Sequence, residues 1–266
     1  MARMKLEVGV KGIQRGLKLS DVSVPPQLRK KVSCGIGWWD NSLGNITVNN
    51  KQMFGLTPSA VVMLTGTPGA GKTTAMLQVA DAYANAGHNV LYNTGEESMY
   101  QVKLVAERLK LKCNFVIGQD TLVGQIIEHA DWMAAQSPGK QTYIFLDSLQ
   151  TLDDGKYPDG HTNSATALRS VEMLTQWAKA TYNNVTFIGQ VNKDGEFQGK
   201  NGILHAIDVR ARLFIDKDKK SETLGERIFE VTKNRMGGGA PAYVLGMGSR
   251  GLFEKGVYGE LSSDDE

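Results

Sequence analysis

The run VVMLTGTPGAGKT, residues 61–73, decides the fold. Val61-Val62-Met63-Leu64 is continuously apolar, the pattern of a strand buried on both faces of a parallel sheet. It ends at Thr65-Gly66, and Gly66, Gly69, Gly71, Lys72 and Thr73 match G-x-x-x-x-G-K-[ST]. After Lys72, Ala75, Met76, Val79, Ala80 and Tyr83 recur at three- and four-residue steps, a helix that Gly87 stops. A glycine-rich turn holding Lys-Thr by chance is the alternative, but the strand before it and the helix after it favour a phosphate cradle. Glycines let backbone N–H groups turn inward around phosphate oxygens with no Cβ in the way. Lys72 carries charge to the β and γ phosphates, the Thr73 hydroxyl ligates Mg²⁺, and the helix dipole faces the anion. The segment Gly66, Thr67, Pro68, Gly69, Ala70, Gly71, Lys72, Thr73 and Thr74 is therefore expected to bind a nucleoside triphosphate with Mg²⁺.

Outward from this cradle, short apolar runs alternate with helical patterns. Val90-Leu91-Tyr92, Phe115-Val116-Ile117, Tyr143-Ile144-Phe145-Leu146 and Val185 to Gly189 read as strands. Met99 to Leu109, Leu122 to Ala135 and Ala165 to Ala180 read as helices. Such alternation implies βαβ units, right-handed crossovers and a mostly parallel sheet. After about residue 205 the helical pattern ends. Val209 to Ile215, Arg227 to Thr232, Tyr243-Val244-Leu245 and Gly251-Leu252-Phe253 read as an antiparallel extension of the same sheet. The expected fold is α/β, a mostly parallel central sheet flanked by helices with an antiparallel C-terminal extension.

A carboxylate for the metal is expected where an apolar strand ends beside the cradle. Asp147, after Tyr-Ile-Phe-Leu, fits, and would hold Mg²⁺ through water; the alternative is an Asp capping a helix. Hydrolysis also needs a group that polarises water. Glu96 and Glu97 follow the strand at 90–92 and would share the sheet edge of Lys72 and Asp147. Charge complementing a helix N-terminus explains one of them better than two. Glu96 is the favoured base, Glu97 the second choice.

At 266 residues and 41% hydrophobic, one domain with a full core is expected. No run of eighteen apolar residues exists to span a membrane, and the first sixteen residues have no signal-like apolar run. Cys34 and Cys113, the two cysteines, form neither a C-x-x-C pair nor a disulfide framework and fit a reducing cytoplasm. Residues 1–31 hold eight Lys and Arg against Glu7 and Asp21, a net +6 that leaves −4 elsewhere in a chain of formal charge +2. A basic arm over 1–31 could meet a nucleic acid backbone or an acidic neighbouring subunit, or be merely solvated. Residues 32–258 are the expected core, and 259–266 a disordered acidic tail. Two polar stretches, DDGKYPDGHTNS (153–164) and KDGEFQGKN (193–201), follow strand ends at the edge where open α/β sheets bind ligands.

Several segments recur in one order: LSDV (19–22), CGIGWWDNSLG (34–44), GTPGAGKTT (66–74), VLYNTGEES (90–98), IFLDSLQT (144–151), GQVNKDGEFQGKNGILHAID (189–208) and VTKNRMGG (231–238). Together they resemble the ATPase core of RadA, also called Sms, in the RecA superfamily, over about residues 19 to 255. KNRMGG resembles that family's KNRFG signature, with Met236 in place of Phe. The resemblance implies a RecA-like P-loop fold, ATP as the nucleotide, and assembly into a hexameric ring or a filament with ATP between subunits. It implies that Glu96 is the catalytic glutamate and that Gln190 senses the γ-phosphate, at a position where the family usually shows His. It implies that Lys233 and Arg235 act in trans on a neighbour's ATP, stabilising transition-state charge; solvated cations in a surface turn are the alternative. It also implies that the two polar loops face single-stranded DNA, with Lys156, Lys193, Lys200 and Asn201 on phosphates and Tyr157 and Phe197 on bases. The family's four-cysteine zinc module and Lon-protease-like domain have no counterpart in these residues, so a core-only relative is expected.

The function so implied is an ATP-dependent DNA-binding ATPase of homologous recombination or repair, translocating on single strands or promoting branch migration, with other recombination or replication proteins as partners. One alternative is an ATP-switched filament that pairs or anneals strands. Another is a RecA-superfamily ATPase with a protein client.

Overall fold

The computed structural model describes residues 17–157, 160–163, 165–190, 201–237 and 240–258. In chain order the regular elements begin with α1 (Gly37–Ser42) and a small antiparallel hairpin, β1 (Asn45–Val48) and β2 (Lys51–Phe54). The expected alternation follows: β3 (Val61–Thr65), α2 (Lys72–Asn85), β4 (Asn89–Thr94), α3 (Met99–Arg108), β5 (Val116–Gly118), α4 (Val123–Gln136), β6 (Thr142–Asp147), α5 (Thr166–Thr181) and β7 (Asn184–Ile188). A short helix α6 (Asn201–Ala206) leads into β8 (Val209–Ile215), β9 (Arg227–Asn234), β10 (Tyr243–Gly248) and β11 (Gly251–Val257).

Nine strands make one sheet in the order β11-β10-β9-β8-β3-β7-β6-β4-β5. From β8 to β5 all neighbours run parallel; β8, β9, β10 and β11 pair antiparallel. This is the expected doubly covered sheet with its antiparallel extension. The strand β3 lies at the centre, and all five of its residues are buried. Alternate side chains enter opposite layers, as a period of two requires. Val62 and Leu64 join a core built on α1 and α2, with Trp38, Trp39 and Tyr83. Val61 and Met63 join a second core on the other face, with α4 and α5 supplying Ile126, Ala130, Leu174 and Trp177. Aromatic contacts knit the first layer: Trp38 meets Phe229 edge-on at 4.8 Å, and Tyr83 stacks on Tyr143 at 4.1 Å.

Three features depart from the expectations. The α1 helix and the β1–β2 hairpin were not foreseen, because both are too short to show a periodic pattern. Asn201, expected in a polar loop, is the first residue of α6. Lys31, counted among the arm's cations, is buried; its ammonium donates to the carbonyls of Leu43 at 2.6 Å and Gly55 at 3.2 Å. It ties the segment before α1 to the β1–β2 hairpin, and burial lowers its pKa to about 8. Charge alone could not distinguish it from its exposed neighbours Arg29 and Lys30.

Candidate functional site

A cleft of about 380 Å³ opens at the C-terminal edge of the parallel strands. It is lined by Gly66, Pro68, Lys72, Thr73, Glu96, Asp147, Ser148, Ile188 and Gln190. These residues come from four strand ends. Gly66 follows β3, Glu96 follows β4, Asp147 ends β6, and Gln190 follows β7. The four strands are contiguous in the sheet, so residues far apart in the chain converge.

The cradle is shaped by backbone constraint. Gly66 has φ +156°, and a Cβ there would stand 1.8 Å from the carbonyl oxygen of Leu213 on β8. No side chain fits. Gly71, at φ +104°, is the left-handed residue from which α2 starts, and no side chain caps that helix. Its first N–H groups are therefore left to an external acceptor. By contrast, α3 closes its own N-terminus with a Ser98/Gln101 capping box.

Lys72 reaches back across the loop, its Nζ donating to Gly66 O at 2.9 Å and Thr67 O at 3.1 Å. Burial lowers its pKa, while Asp147 and Glu96 oppose that shift. Two neutral carbonyls do not neutralise an ammonium, so the loop holds positive charge for an anion. The buried hydroxyl of Thr67 also lacks a protein partner. Thr73 Oγ1 donates to Asp147 Oδ2 at 2.7 Å, and Tyr92 OH donates to the same oxygen at 3.2 Å. Burial raises the Asp147 pKa, and these two hydrogen bonds work against the rise. Glu96 accepts a short hydrogen bond from Ser148 Oγ and a long one, 3.5 Å, from Gln190 Nε2. Glu97 does not line the cleft.

These groups fit a magnesium–triphosphate. Among the described residues no cluster of three or more His, Cys, Asp or Glu could hold a metal alone. The Thr73 hydroxyl and the Asp147 carboxylate are the oxygen ligands that would hold a hard divalent ion, which would neutralise charge on the phosphates. Arg227, at the start of β9, donates Nε–H to Ala70 O at 3.0 Å and braces the loop from outside.

Lys233 and Arg235 lie at the opposite edge of the sheet. On β9, Lys233 pairs with Arg210, and Asn234 pairs with Val209, the first residue of β8. Arg235 N donates to Asp208 O at 3.0 Å, and Asp208 Oδ2 in turn accepts from the N–H of Val61, where β3 begins. Asp208 is buried and salt-bridged to Lys179 at 2.6 Å. Arg235 is exposed. Lys233 differs from the free cation expected of it: its Nζ donates to the carbonyls of Leu204 and Ile207, at the end of α6. Burial, then the charge of Arg235, lowers its pKa.

Of the residues assigned to nucleic acid, Lys193, Phe197 and Lys200 lie outside the described residues. Tyr157 is described, with Lys156 Nζ 5.6 Å and the Arg169 guanidinium 5.9 Å from its ring centre. Asn201 is exposed. The helices that follow the two polar stretches, α5 and α6, pack together: a Cβ on Gly202 would stand 3.1 Å from Leu168.

Sequence reasoning passed over Ser148, Tyr92 and Arg227. Ser148 directly follows Asp147 and was within reach of the motif. Tyr92 and Arg227 act through the pairing of β4 with β6 and of β9 with β8, which chain order does not reveal.

The chain matches the AAA domain family over residues 36–196. It is 32% identical over 237 residues to the DNA repair protein RadA of Haemophilus influenzae, covering 89% of this chain and 47% of that protein. It is 30% identical over 253 residues to the DNA repair protein RadA of Escherichia coli K12, covering 95% and 50%. The chain thus spans about half the length of the relatives it matches. Among solved structures it is similar to a DnaB-like replicative helicase, with a TM-score of 0.62 and 16% identity over 71% of this chain and 55% of the other. It is also similar to a second solved ATPase domain, with a TM-score of 0.63 and 16% identity over 72% and 82%. At these identities the structural likeness speaks for the fold.

Proposed function

This chain belongs to the AAA domain family, with a RadA-like ATPase core of the RecA superfamily; from that premise we propose that it hydrolyses Mg-ATP in a DNA-stimulated cycle of recombination or repair, assembled as a homo-oligomer. The carrying observation is the cleft in which Lys72, Thr73, Glu96, Asp147 and Gln190 converge. Lys72 and the uncapped amides of α2 hold the β and γ phosphates. Thr73 and Asp147 would hold the metal, which when bound would supply charge neutralisation on those phosphates. Glu96, oriented by the Ser148 hydroxyl and the Gln190 amide, takes the proton of the attacking water.

Arg235 and Lys233 complete the site of a neighbour. The edge separation supports this: neither can reach the phosphates bound by its own chain. Lys233 would leave the α6 carbonyls as the neighbour's phosphate arrives. β6 and β7 end at the same sheet edge as the cleft, and the helices that follow them, α5 and α6, pack side by side, which supports a nucleic-acid surface there that senses nucleotide. Lys156, Tyr157 and Asn201, with Lys193, Phe197 and Lys200, are the proposed contacts. Translocation on single strands is the proposed work.

The test is ATPase rate with and without single-stranded DNA, beside a Lys72→Ala control, across a salt series. Stimulation that fades with rising salt is expected. An unchanged rate, with no salt-dependent DNA binding, would remove the DNA-dependent part of the reading.

A further inference from the structure

The nucleoside end of the substrate has no partner among the residues above. We propose that Met247 and Arg227 form a shelf for the nucleobase, on the outer side of the phosphate loop. This rests on the reading of Gly66–Thr73 as the triphosphate cradle. The sheet order makes the argument. Besides Lys72 in the loop itself, the groups that address the terminal phosphate, Glu96 after β4, Asp147 on β6 and Gln190 after β7, all lie on one side of β3. A triphosphate threaded through a loop that follows β3 therefore sends its nucleoside to the other side, over β8–β11.

On that side Arg227 and Met247 lie directly against the cradle. Arg227 Nε bonds Ala70 O at 3.0 Å. Met247 lies beside Gly71, where a Cβ would stand 2.7 Å from the Met247 methyl and 4.0 Å from Arg227 Nε. The β10–β11 hairpin that carries Met247 is clamped to α2: Gln78 donates to Leu252 O at 3.1 Å and accepts from Leu252 N at 2.8 Å. The shelf is thus fixed relative to the helix on which the phosphates rest. Leu252, opposite Met247 across the hairpin, is buried, yet Met247 itself stays 37% exposed. A large apolar side chain held open at the mouth of a phosphate site suits the π face of a base. A thioether contacts aromatic rings favourably, and a planar guanidinium stacks on them. Both address the face of a ring and neither reads its edge. The shelf therefore selects for a base being present, and for purine over pyrimidine through contact area, with little choice between adenine and guanine.

Equilibrium binding of Mg-ATP and of magnesium tripolyphosphate separates the base from the phosphates. It would be measured on the intact chain and on three variants. Met247→Ala removes the thioether. Arg227→Lys keeps a cation able to reach the Ala70 carbonyl and removes the flat face. Met247→Ala should weaken ATP binding roughly tenfold or more, the loss of a stacked base, and leave tripolyphosphate binding as in the parent; Arg227→Lys should weaken ATP binding by more than it weakens tripolyphosphate binding. Lys72→Ala should weaken both ligands together. Unchanged ATP affinity in Met247→Ala and Arg227→Lys, or equal losses of ATP and tripolyphosphate, would overturn the shelf. Undiminished binding of both ligands by Lys72→Ala would instead overturn the cradle on which it rests.

Discussion

Arg235→Ala is the perturbation whose outcome the sheet geometry decides. Arg235 is tied by its backbone to Asp208, and Asp208 to the N–H of Val61, at the start of β3. Gly66 lies just past the other end of that strand, so five residues at about 3.3 Å separate them, about 16 Å in all. An arginine side chain falls well short of that distance. Within one chain Arg235 therefore cannot touch the phosphates at Lys72. Its cation can serve catalysis only in a head-to-tail assembly, where one subunit's β9 edge faces the next subunit's cleft. A cation supplied to a phosphoryl-transfer site in this way is worth about 10³-fold or more in rate, or roughly 4 kcal/mol of barrier. Arg235→Ala should lose that much ATPase activity while still binding nucleotide, and Glu96→Gln should be inactive too. Co-assembled one to one and assayed in a single turnover, the two inactive variants should regain activity. In a random mixture about a quarter of the interfaces pair an intact Glu96 with an intact Arg235 from the neighbour, so recovery toward a quarter of the parent rate is expected. If both groups served the same chain's nucleotide, every site would carry a lesion. A mixture no faster than either variant alone would refute the trans assignment.

Two further outcomes concern the buried charges. Burial raises the Asp147 pKa, so its carboxylate costs the empty protein stability at neutral pH. Asp147→Asn should raise the melting temperature of the nucleotide-free chain by about 2–4 °C, the effect of 1 kcal/mol at this size, and lose the stabilisation that Mg-ATP gives the parent; differential scanning calorimetry checks both. Lys31 carries a pKa lowered from 10.5 to about 8, so between those values the unfolded chain holds a proton that the folded chain has shed. Stability should therefore rise with pH across that window, by at most about 3 kcal/mol. Lys31→Met should remove that part of the pH dependence, read by denaturant titrations at pH 7.5 and 10.

Much of this site was legible because its chemistry is local in the chain. The cradle is one unbroken segment between a buried strand and a helix, and Asp147 and Glu96 each end or follow an apolar run. Backbone rules and strand ends suffice to find them. Lateral relations were not legible. That Tyr92 and Ser148 would hold Asp147 and Glu96 depends on β4 lying beside β6, and that Arg227 would brace Ala70 depends on β9 folding back along β8. Lys31 was misread for a similar reason: its partners, the carbonyls of Leu43 and Gly55, leave no mark in composition. The position of Lys233 and Arg235 required both the resemblance and the register of β9, since spacing alone does not say at which edge a cation sits.

The most direct test of the central claim is Glu96→Gln under Mg-ATP, with binding and single-turnover hydrolysis measured on the same preparation. A glutamine keeps the size of the side chain and can still pair with Ser148, but cannot take a proton from water. Nucleotide affinity close to that of the parent, with hydrolysis slowed about 10²- to 10⁴-fold, is the expected result. Hydrolysis at the parent rate would contradict the assignment of this cleft as the place where the phosphate bond is broken by water that Glu96 activates.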